Sequence, residues 1–251
     1  MSSALVPLAG VADTFGGAFQ FIFEPRPSAQ EGSSVMVGGP DQVWELLSSQ
    51  LVISLSALAI ALVLALPLGI YLGHRKIGEF LAVATGNAGR AVPELGLIAI
   101  LYAYIGGTFD LTLIVIIAVM VLGIPPILTN AYTGVRQVDP GAVEAARGVG
   151  MTEWQIIRKV ELPLAIPTIM GGIRTASVAI VATSTIGSLT GVDTLGKYIL
   201  GENVYGTEGV VAGAILVALL ALAFELVLAG IQRMLTPQGL VLQRQAARAA
   251  A

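Results

Sequence analysis

The chain alternates between long apolar stretches and short polar connections, and this pattern predicts a bundle of membrane-spanning helices. A helix needs about 20 apolar residues to cross roughly 30 Å of hydrocarbon. Two stretches reach that length without a charged residue, and three others reach it by including one or two charges. The five predicted spans are residues 51–73, 80–109, 111–135, 164–189 and 209–232.

The composition agrees with an all-α polytopic membrane protein. Hydrophobic residues make up 55% of the chain and charged residues 12%, and the mean hydropathy is +0.85. Soluble domains carry about 25% charged residues, so an ordinary soluble enzyme is excluded. The net charge of −3 offers no basic surface for nucleic acid. With no cysteine and one histidine, cysteine catalysis and histidine-based zinc sites are excluded, and we expect no metal site.

Lysines and arginines predict the orientation of the bundle, because they concentrate in cytoplasmic loops. With the N-terminus outside, the outer side carries only Arg26 and Lys197. The inner side then carries Arg75, Lys76, Arg136, Arg147, Arg158, Lys159, Arg233, Arg244 and Arg248. This orientation predicts an extracytoplasmic segment over residues 1–45 that can rest at the membrane interface, a membrane domain over 46–233 and a cytoplasmic tail over 234–251.

One polar segment, residues 136–163, interrupts the spans on the predicted cytoplasmic side. Asp139 and Pro140 form a helix-start signal, because aspartate caps a helix and proline fits its first turn. Gly148 and Gly150 end this first short helix, since glycine tolerates the left-handed conformation of a helix end.

A second short helix is predicted to follow over residues 153–160. Thr152 caps it, and Leu162-Pro163 should end it before the next span. Within it, Trp154, Ile157 and Val160 share one apolar face. The segment is therefore a helix–glycine–helix hairpin. It either offers a small-residue surface to a partner, at Glu144, Ala145 and Ala146, or only joins two spans.

The spacing within this hairpin resembles the signature loop of bacterial ABC import permeases. That signature runs from Glu144-Ala145-Ala146 through Gly150 to Leu162-Pro163, with Val160 where isoleucine is usual. The resemblance implies that the hairpin is the coupling helix that docks in a groove of a separate ATPase subunit. The docking residues that it implies are Glu144, Ala145, Ala146, Arg147, Gly150, Met151, Leu162 and Pro163.

The resemblance extends over roughly residues 46–205, where the chain is similar to permeases of glycine betaine, carnitine and choline importers. Segments that carry it are ALPLGIYLG, IPPILTN, YTGVRQVDPGAVEAARGVGMT and VELPLAIPTIMGGIRTA. It implies a MetI-like fold of five transmembrane helices in the bacterial cytoplasmic membrane. The implied partners are ABC ATPase subunits holding ATP and magnesium, a second permease subunit (identical or different) and an extracytoplasmic substrate-binding protein. The chain itself would bind no cofactor and catalyse no reaction.

Polar groups inside the spans are candidates for the translocation path, because such groups are costly in hydrocarbon. Arg90 and Glu94 share a helix face next to Pro93, either as a polar constriction or as a buried self-neutralised pair. A second group forms a stripe on span four that either wets a passage or holds helices together. The candidate path residues are Arg90, Pro93, Glu94, Asn130, Arg174, Ser177, Ser184 and Ser188.

Two other functions stay open from the sequence. One is an ABC permease for amino acids or sulfonates, which would share every feature of the hairpin. The other is an ion-coupled carrier or channel that works alone. Whichever function holds, the sequence predicts one close helix–helix contact. Gly69 and Gly73 have the small-xxx-small spacing that lets helices approach closely.

Overall fold

The computed structural model describes residues 8–80, 84, 93–106, 108–237 and 239, with the backbone alone for residues 8–12. Its N-terminal part consists of α1 (Leu8–Phe23), the antiparallel pair β1 (Arg26–Pro27) and β2 (Met36–Val37), and α2 (Gly39–Arg75). The following elements are α3 (Glu94–Ile105), α4 (Leu111–Arg136), α5 (Pro140–Gly148), α6 (Glu153–Ile156), a π-helical turn (Ile157–Glu161), α7 (Leu162–Ser184), a 3-10 turn (Thr185–Thr190), α8 (Gly196–Leu200) and α9 (Glu202–Leu235).

Four helical segments in the described part are long and apolar enough to cross a membrane. They are α2, α4, the continuous segment from α6 to the 3-10 turn, and α9, and they contain four of the five predicted spans. The remaining predicted span, residues 80–109, is represented by α3, a shorter apolar helix of 12 residues. Most of residues 80–92 lie outside the described residues, so the count of five spans is not reached there.

The prediction that Leu162-Pro163 ends the second helix of the hairpin is wrong. The helix instead widens into the π-helical turn, where the Leu162 N–H donates to the Ile157 carbonyl five residues back, and then continues as α7. Proline lacks an N–H, and its ring clashes with the carbonyl four residues earlier in a regular helix. The wider turn immediately before Pro163 relieves that clash, so one rod runs from the hairpin into the membrane.

Close glycine contacts hold α2 against α4, as the small-residue spacing predicts. A Cβ added at Gly69 would lie 2.7 Å from the Ala131 Cβ, and one at Gly73 would lie 2.7 Å from the Tyr132 carbonyl oxygen. A similar approach joins α4 to α7, since a Cβ at Gly172 would lie 2.5 Å from the Asn130 Cβ. α4 is thus packed between α2 and α7 at the centre of the bundle.

The N-terminal segment folds back onto α8 and α9. Phe21 and Tyr198 are fully buried, with their rings 5.1 Å apart and edge-on. Burial raises the pKa of Tyr198, whose hydroxyl donates to the Gln42 side chain at 3.2 Å. Arg26 forms an ion pair with Glu208 on α9. Residues 13–45 therefore act as an ordered cap on one end of the bundle, and α2 already begins at Gly39.

Candidate functional site

The predicted hairpin is present, with the caps that its sequence indicates. Asp139 accepts a hydrogen bond from the Gly141 N–H at 3.2 Å and starts α5. Gly150 has φ of 85°, the left-handed conformation that only glycine adopts without strain. Thr152 and Gln155 form a reciprocal capping box at the start of α6. Local hydrogen bonds therefore fix the turn between the two helices.

A small apolar cluster holds the hairpin together, and it corrects the prediction that Ala146 is exposed. Val138, Val143, Ala146 and Ile156 are buried against one another. Ala146 is therefore covered rather than offered to a partner. Ile156 is the fully buried residue of α6, whereas Trp154 is 64% exposed.

The outer face of the hairpin remains open to a partner. Glu144, Ala145, Arg147 and Gly150 are exposed, Met151 is half-buried, and Val149 is 76% exposed. Leu162 and Pro163, further along the chain, are half-buried at the start of α7. A docking subunit could thus touch a short helix of small side chains. Its exposed neighbours are the charged Glu144 and Arg147 and the apolar Val149 and Trp154.

Charged side chains tie this hairpin to the end of α2. Arg147 makes a two-pronged ion pair with Glu153, with both N–H···O distances at 3.0 Å. Hydrogen bonding to that carboxylate raises the pKa of Arg147. Glu153 also faces the His74 ring at 3.2 Å, and the other ring nitrogen lies 2.7 Å from Glu161. Arg147, Glu153, His74 and Glu161 thus form a continuous series of polar contacts from the exposed helix α5 to the bundle.

The serine stripe of α7 faces neighbouring helices in this conformation. Ser177 is fully buried and donates to the Arg174 carbonyl at 2.8 Å. Ser184 is also fully buried, and its hydroxyl lies 3.2 Å from that of Ser54 on α2. The Ser188 hydroxyl is buried without a hydrogen-bond partner among the described residues. These contacts favour helix packing over a wetted surface for Ser177 and Ser184.

Glu94 and Pro93 lie where α3 begins. Pro93 is the extended residue that precedes the helix, and Glu94 occupies the first helical turn. The Glu94 carboxylate accepts a hydrogen bond from Thr183 on α7 at 3.3 Å. Arg90 lies outside the described residues, so its pairing with Glu94 stays a prediction. Asn130 donates to the Pro126 carbonyl at 2.8 Å and packs at the α4–α7 contact.

Arg174 meets two polar groups of α9. Its Nε donates to Glu225 at 3.0 Å, and its Nη1 donates to Gln232 at 2.9 Å. The side chains of Arg174 and Glu225 are 32% and 31% exposed, and they line a surface cavity of about 490 Å³. Arg174 lies roughly 18 Å from the start of α7 and Glu225 roughly 15 Å from the end of α9, at 1.5 Å per residue. The pair therefore lies well inside both membrane-spanning segments.

More than half of the chain matches one family of transport proteins. Residues 65–238 correspond to the binding-protein-dependent transport system inner membrane component. The chain belongs to this family. The resemblance to ABC import permeases that the hairpin spacing indicates is confirmed, and the chain is a multi-pass inner-membrane transport component.

Relatives of this transport component are named as permeases for glycine betaine, carnitine and choline. This chain is 38% identical over 192 residues to the glycine betaine/carnitine/choline transport system permease protein OpuCB of Bacillus subtilis. The alignment covers 76% of this chain and 87% of the relative. The chain is 37% identical over 201 residues to the carnitine transport permease protein OpuCB of Listeria monocytogenes, covering 79% of this chain and 88% of the relative.

Solved structures confirm the MetI-like permease fold. One inward-facing structure of the MetNI methionine ABC transporter matches with a TM-score of 0.67 at 21% identity, covering 79% of this chain and 98% of that one. A second crystal form of the same transporter matches with a TM-score of 0.62 at 25% identity, covering 78% and 95%.

A buried polar junction of this transport component was not predicted from its sequence. Gln50, fully buried on α2, donates to the Val181 carbonyl and accepts from the Leu195 N–H, both at 3.0 Å. The loop before α8 is thereby fastened to α2 and α7. Only the unusual glutamine at the edge of an apolar run signals such a contact in the sequence.

Gly196 in this junction should not tolerate alanine. A Cβ there would overlap the backbone oxygen of Thr185, so the loop and the 3-10 turn would have to separate. Overpacking of this kind costs about 1–3 kcal/mol. We expect Gly196→Ala to lower the Tm of the purified protein in detergent by several degrees. Gly230→Ala is the matched control, because a Cβ there meets nothing within 4 Å; an equal Tm for both variants would contradict the packing.

Proposed function

We propose that this chain is the transmembrane permease subunit of an ATP-driven ABC importer for osmoprotectants, namely glycine betaine, choline, carnitine or related quaternary ammonium compounds. The observation that carries the proposal is the exposed hairpin from Glu144 to Gly150 on a chain whose relatives at 37–38% identity are named for these compounds. The hairpin supplies the docking surface, and the relatives supply the substrate class.

The proposed partners supply the parts of an importer that this chain would not provide. ABC ATPase subunits would dock on the hairpin and hold ATP and magnesium, and a binding protein outside the membrane would deliver the substrate. A second permease subunit, identical or different, would complete the passage. A second subunit is supported by the exposure of α9, since only 17% of its 18-residue apolar stretch is buried within this chain.

The proposed orientation has the N-terminus outside and the C-terminus inside. The ends of α2 and α4 meet beside the hairpin, where Arg136 donates to the Lys76 carbonyl at 3.3 Å and to Glu79 at 3.0 Å. Arg147, Arg158 and Lys159 add further positive charge at this end. Cytoplasmic loops carry such an excess of lysine and arginine. The cap formed by residues 13–45 then faces the exterior.

The continuous rod from α6 through α7 supports a direct mechanical route. When ATP draws the partner ATPases together, the hairpin would move with them, and the unbroken helix would carry that movement to Arg174. Among the candidate path residues, the contacts favour Arg174, since its one-third-exposed ion pair with Glu225 lies within the spans and must face protein or water rather than lipid. The path would form where this face meets the second permease.

Reconstitution tests the proposal. Proteoliposomes that contain the permeases, the ATPase and the binding protein should take up labelled glycine betaine at least tenfold faster with ATP than without it. Competition by unlabelled methionine or taurine, but not by choline or carnitine, would instead favour the amino acid or sulfonate importer. Uptake by this chain alone, driven by an ion gradient without ATP, would establish the stand-alone carrier and overturn the proposal.

A further inference from the structure

His74, the single histidine of the chain, lies between two carboxylates at the end of α2. Its Nδ1 is 2.7 Å from Glu161 and its Nε2 is 3.2 Å from Glu153. The side chains of His74 and Glu161 are only 6% and 5% exposed. The ring is hydrogen-bonded to Glu161 through Nδ1 and lies within ion-pair distance of Glu153 through Nε2. The imidazole therefore joins two points of the rod that leads from the hairpin into α7.

The same contacts continue outward to the docking face. Glu153 binds the Arg147 guanidinium through both of its oxygens, and Arg147 lies on the exposed helix that begins at Pro140. On the inner side, the His74 ring is the one hydrogen-bond partner of the Glu161 carboxylate within the described part of the chain. A buried carboxylate that loses its partner is strongly destabilising, so the contact between His74 and Glu161 should be maintained.

The end of α2 is itself well anchored in the bundle. One residue before His74, Gly73 lies so close to α4 that an added Cβ would be 2.7 Å from the Tyr132 carbonyl. Leu72 is buried against Tyr132 as well. A force applied at His74 therefore reaches α4 through a close backbone contact, by a route separate from the α7 rod.

We propose that His74 is a positioning residue that latches the docking hairpin to α2, so that a displacement of the hairpin moves α2 and α7 together. This inference rests on the proposed function, because the displacement comes from a docked ATPase. Without the imidazole, the hairpin would push on α7 alone, and α2 with α4 would lag behind. ATP hydrolysis would then continue while transport failed to follow it.

The complete transporter in proteoliposomes tests this division of roles. His74→Ala should leave the ATPase bound and hydrolysing ATP within twofold of wild type, while glycine betaine taken up per ATP falls about tenfold. His74→Lys should recover at least half of the wild-type ratio, because an ammonium group has three donors and can reach both carboxylates. A wild-type ratio in His74→Ala would overturn the proposal.

Leu46→Ala is the control for a purely structural effect on the same helix. It removes a buried side chain from the opposite end of α2 and leaves both the charged groups and the contacts of α2 with Tyr132 intact, so it should lower the Tm and leave uptake per ATP unchanged. An equal fall of the ratio in Leu46→Ala and His74→Ala would show that loss of stability alone is responsible, and would also overturn the latch.

The contact can be recorded separately from transport, because the chain has no native cysteine. In the purified double variant His74→Cys with Glu161→Cys, a short bifunctional thiol reagent should join the two positions, and failure to join them would contradict the latch. If the wild-type complex showed no ATP-driven uptake, the proposed function would fail and the positioning role with it, while the cross-link would still report whether the two helices meet there.

Discussion

Glu144→Arg is expected to abolish ATP-driven uptake while the protein still folds and inserts. Glu144 is exposed on α5 and forms no hydrogen bond or ion pair among the described residues, so its replacement removes only an electrostatic attraction to Arg147. Its place is the centre of the face that we assign to ATPase docking. A lost interface hot spot costs about 2–4 kcal/mol, which weakens association by roughly 30- to 700-fold.

Two measurements distinguish this loss of docking from misfolding. The ATPase should no longer co-purify with Glu144→Arg, whereas the Tm of the variant in detergent should stay within about 2 °C of wild type. Glu31→Arg is the control, because it makes the same charge change at an exposed residue at the opposite end of the bundle. Normal uptake by Glu144→Arg would remove our account of how ATP hydrolysis is coupled to transport.

The hairpin could be predicted from the sequence because its signals are local. Asp139, Gly150 and Thr152 act on backbone groups within three residues of themselves, so their spacing alone specifies two caps and a turn. The apolar spans are equally local, since length and composition decide whether a helix can cross the bilayer. Four of the five predicted spans accordingly appear as long helices.

The parts that sequence reasoning missed depend on distant partners. His74 and Glu161 are 87 residues apart, and Gln50 and Leu195 are 145 residues apart, so no spacing rule connects them. The continuation of the helix past Pro163 depends on the π-helical turn, whose widening has no simple sequence signature.

The helical periodicity also could not show what the serine face of α7 packs against. The serines of α7 do lie on one side, but an angular position cannot say whether that side meets another helix or an open passage. Only the neighbouring residues answer this, and for Ser184 the neighbour is Ser54 on α2. Likewise, the shared face of Trp154, Ile157 and Val160 did not show that Ile156 would be the buried residue of α6 and Trp154 an exposed one.

Breaking the Arg174–Glu225 pair should reduce both folding and transport, and neutralising both partners should separate the two effects. Glu225→Gln leaves Arg174 without a counter-charge within the spans, where a lone charge costs about 2.5–3.5 kcal/mol on insertion scales. We therefore expect several-fold less folded protein in the membrane. The double variant Arg174→Gln with Glu225→Gln carries no charge there, and its amount should return to near the wild-type level.

Uptake by the double variant then decides what the pair does. If Arg174 and Glu225 face the passage, as their exposure and the cavity beside them indicate, glycine betaine uptake per folded transporter should stay below about a tenth of wild type. Ser177→Ala is the comparison on the same helix. Its hydroxyl donates only to the backbone of its own helix, so this change should leave uptake nearly unchanged. Full uptake by the double variant would show instead that the ion pair only holds α7 to α9, and the path would then have to run along another face of the bundle.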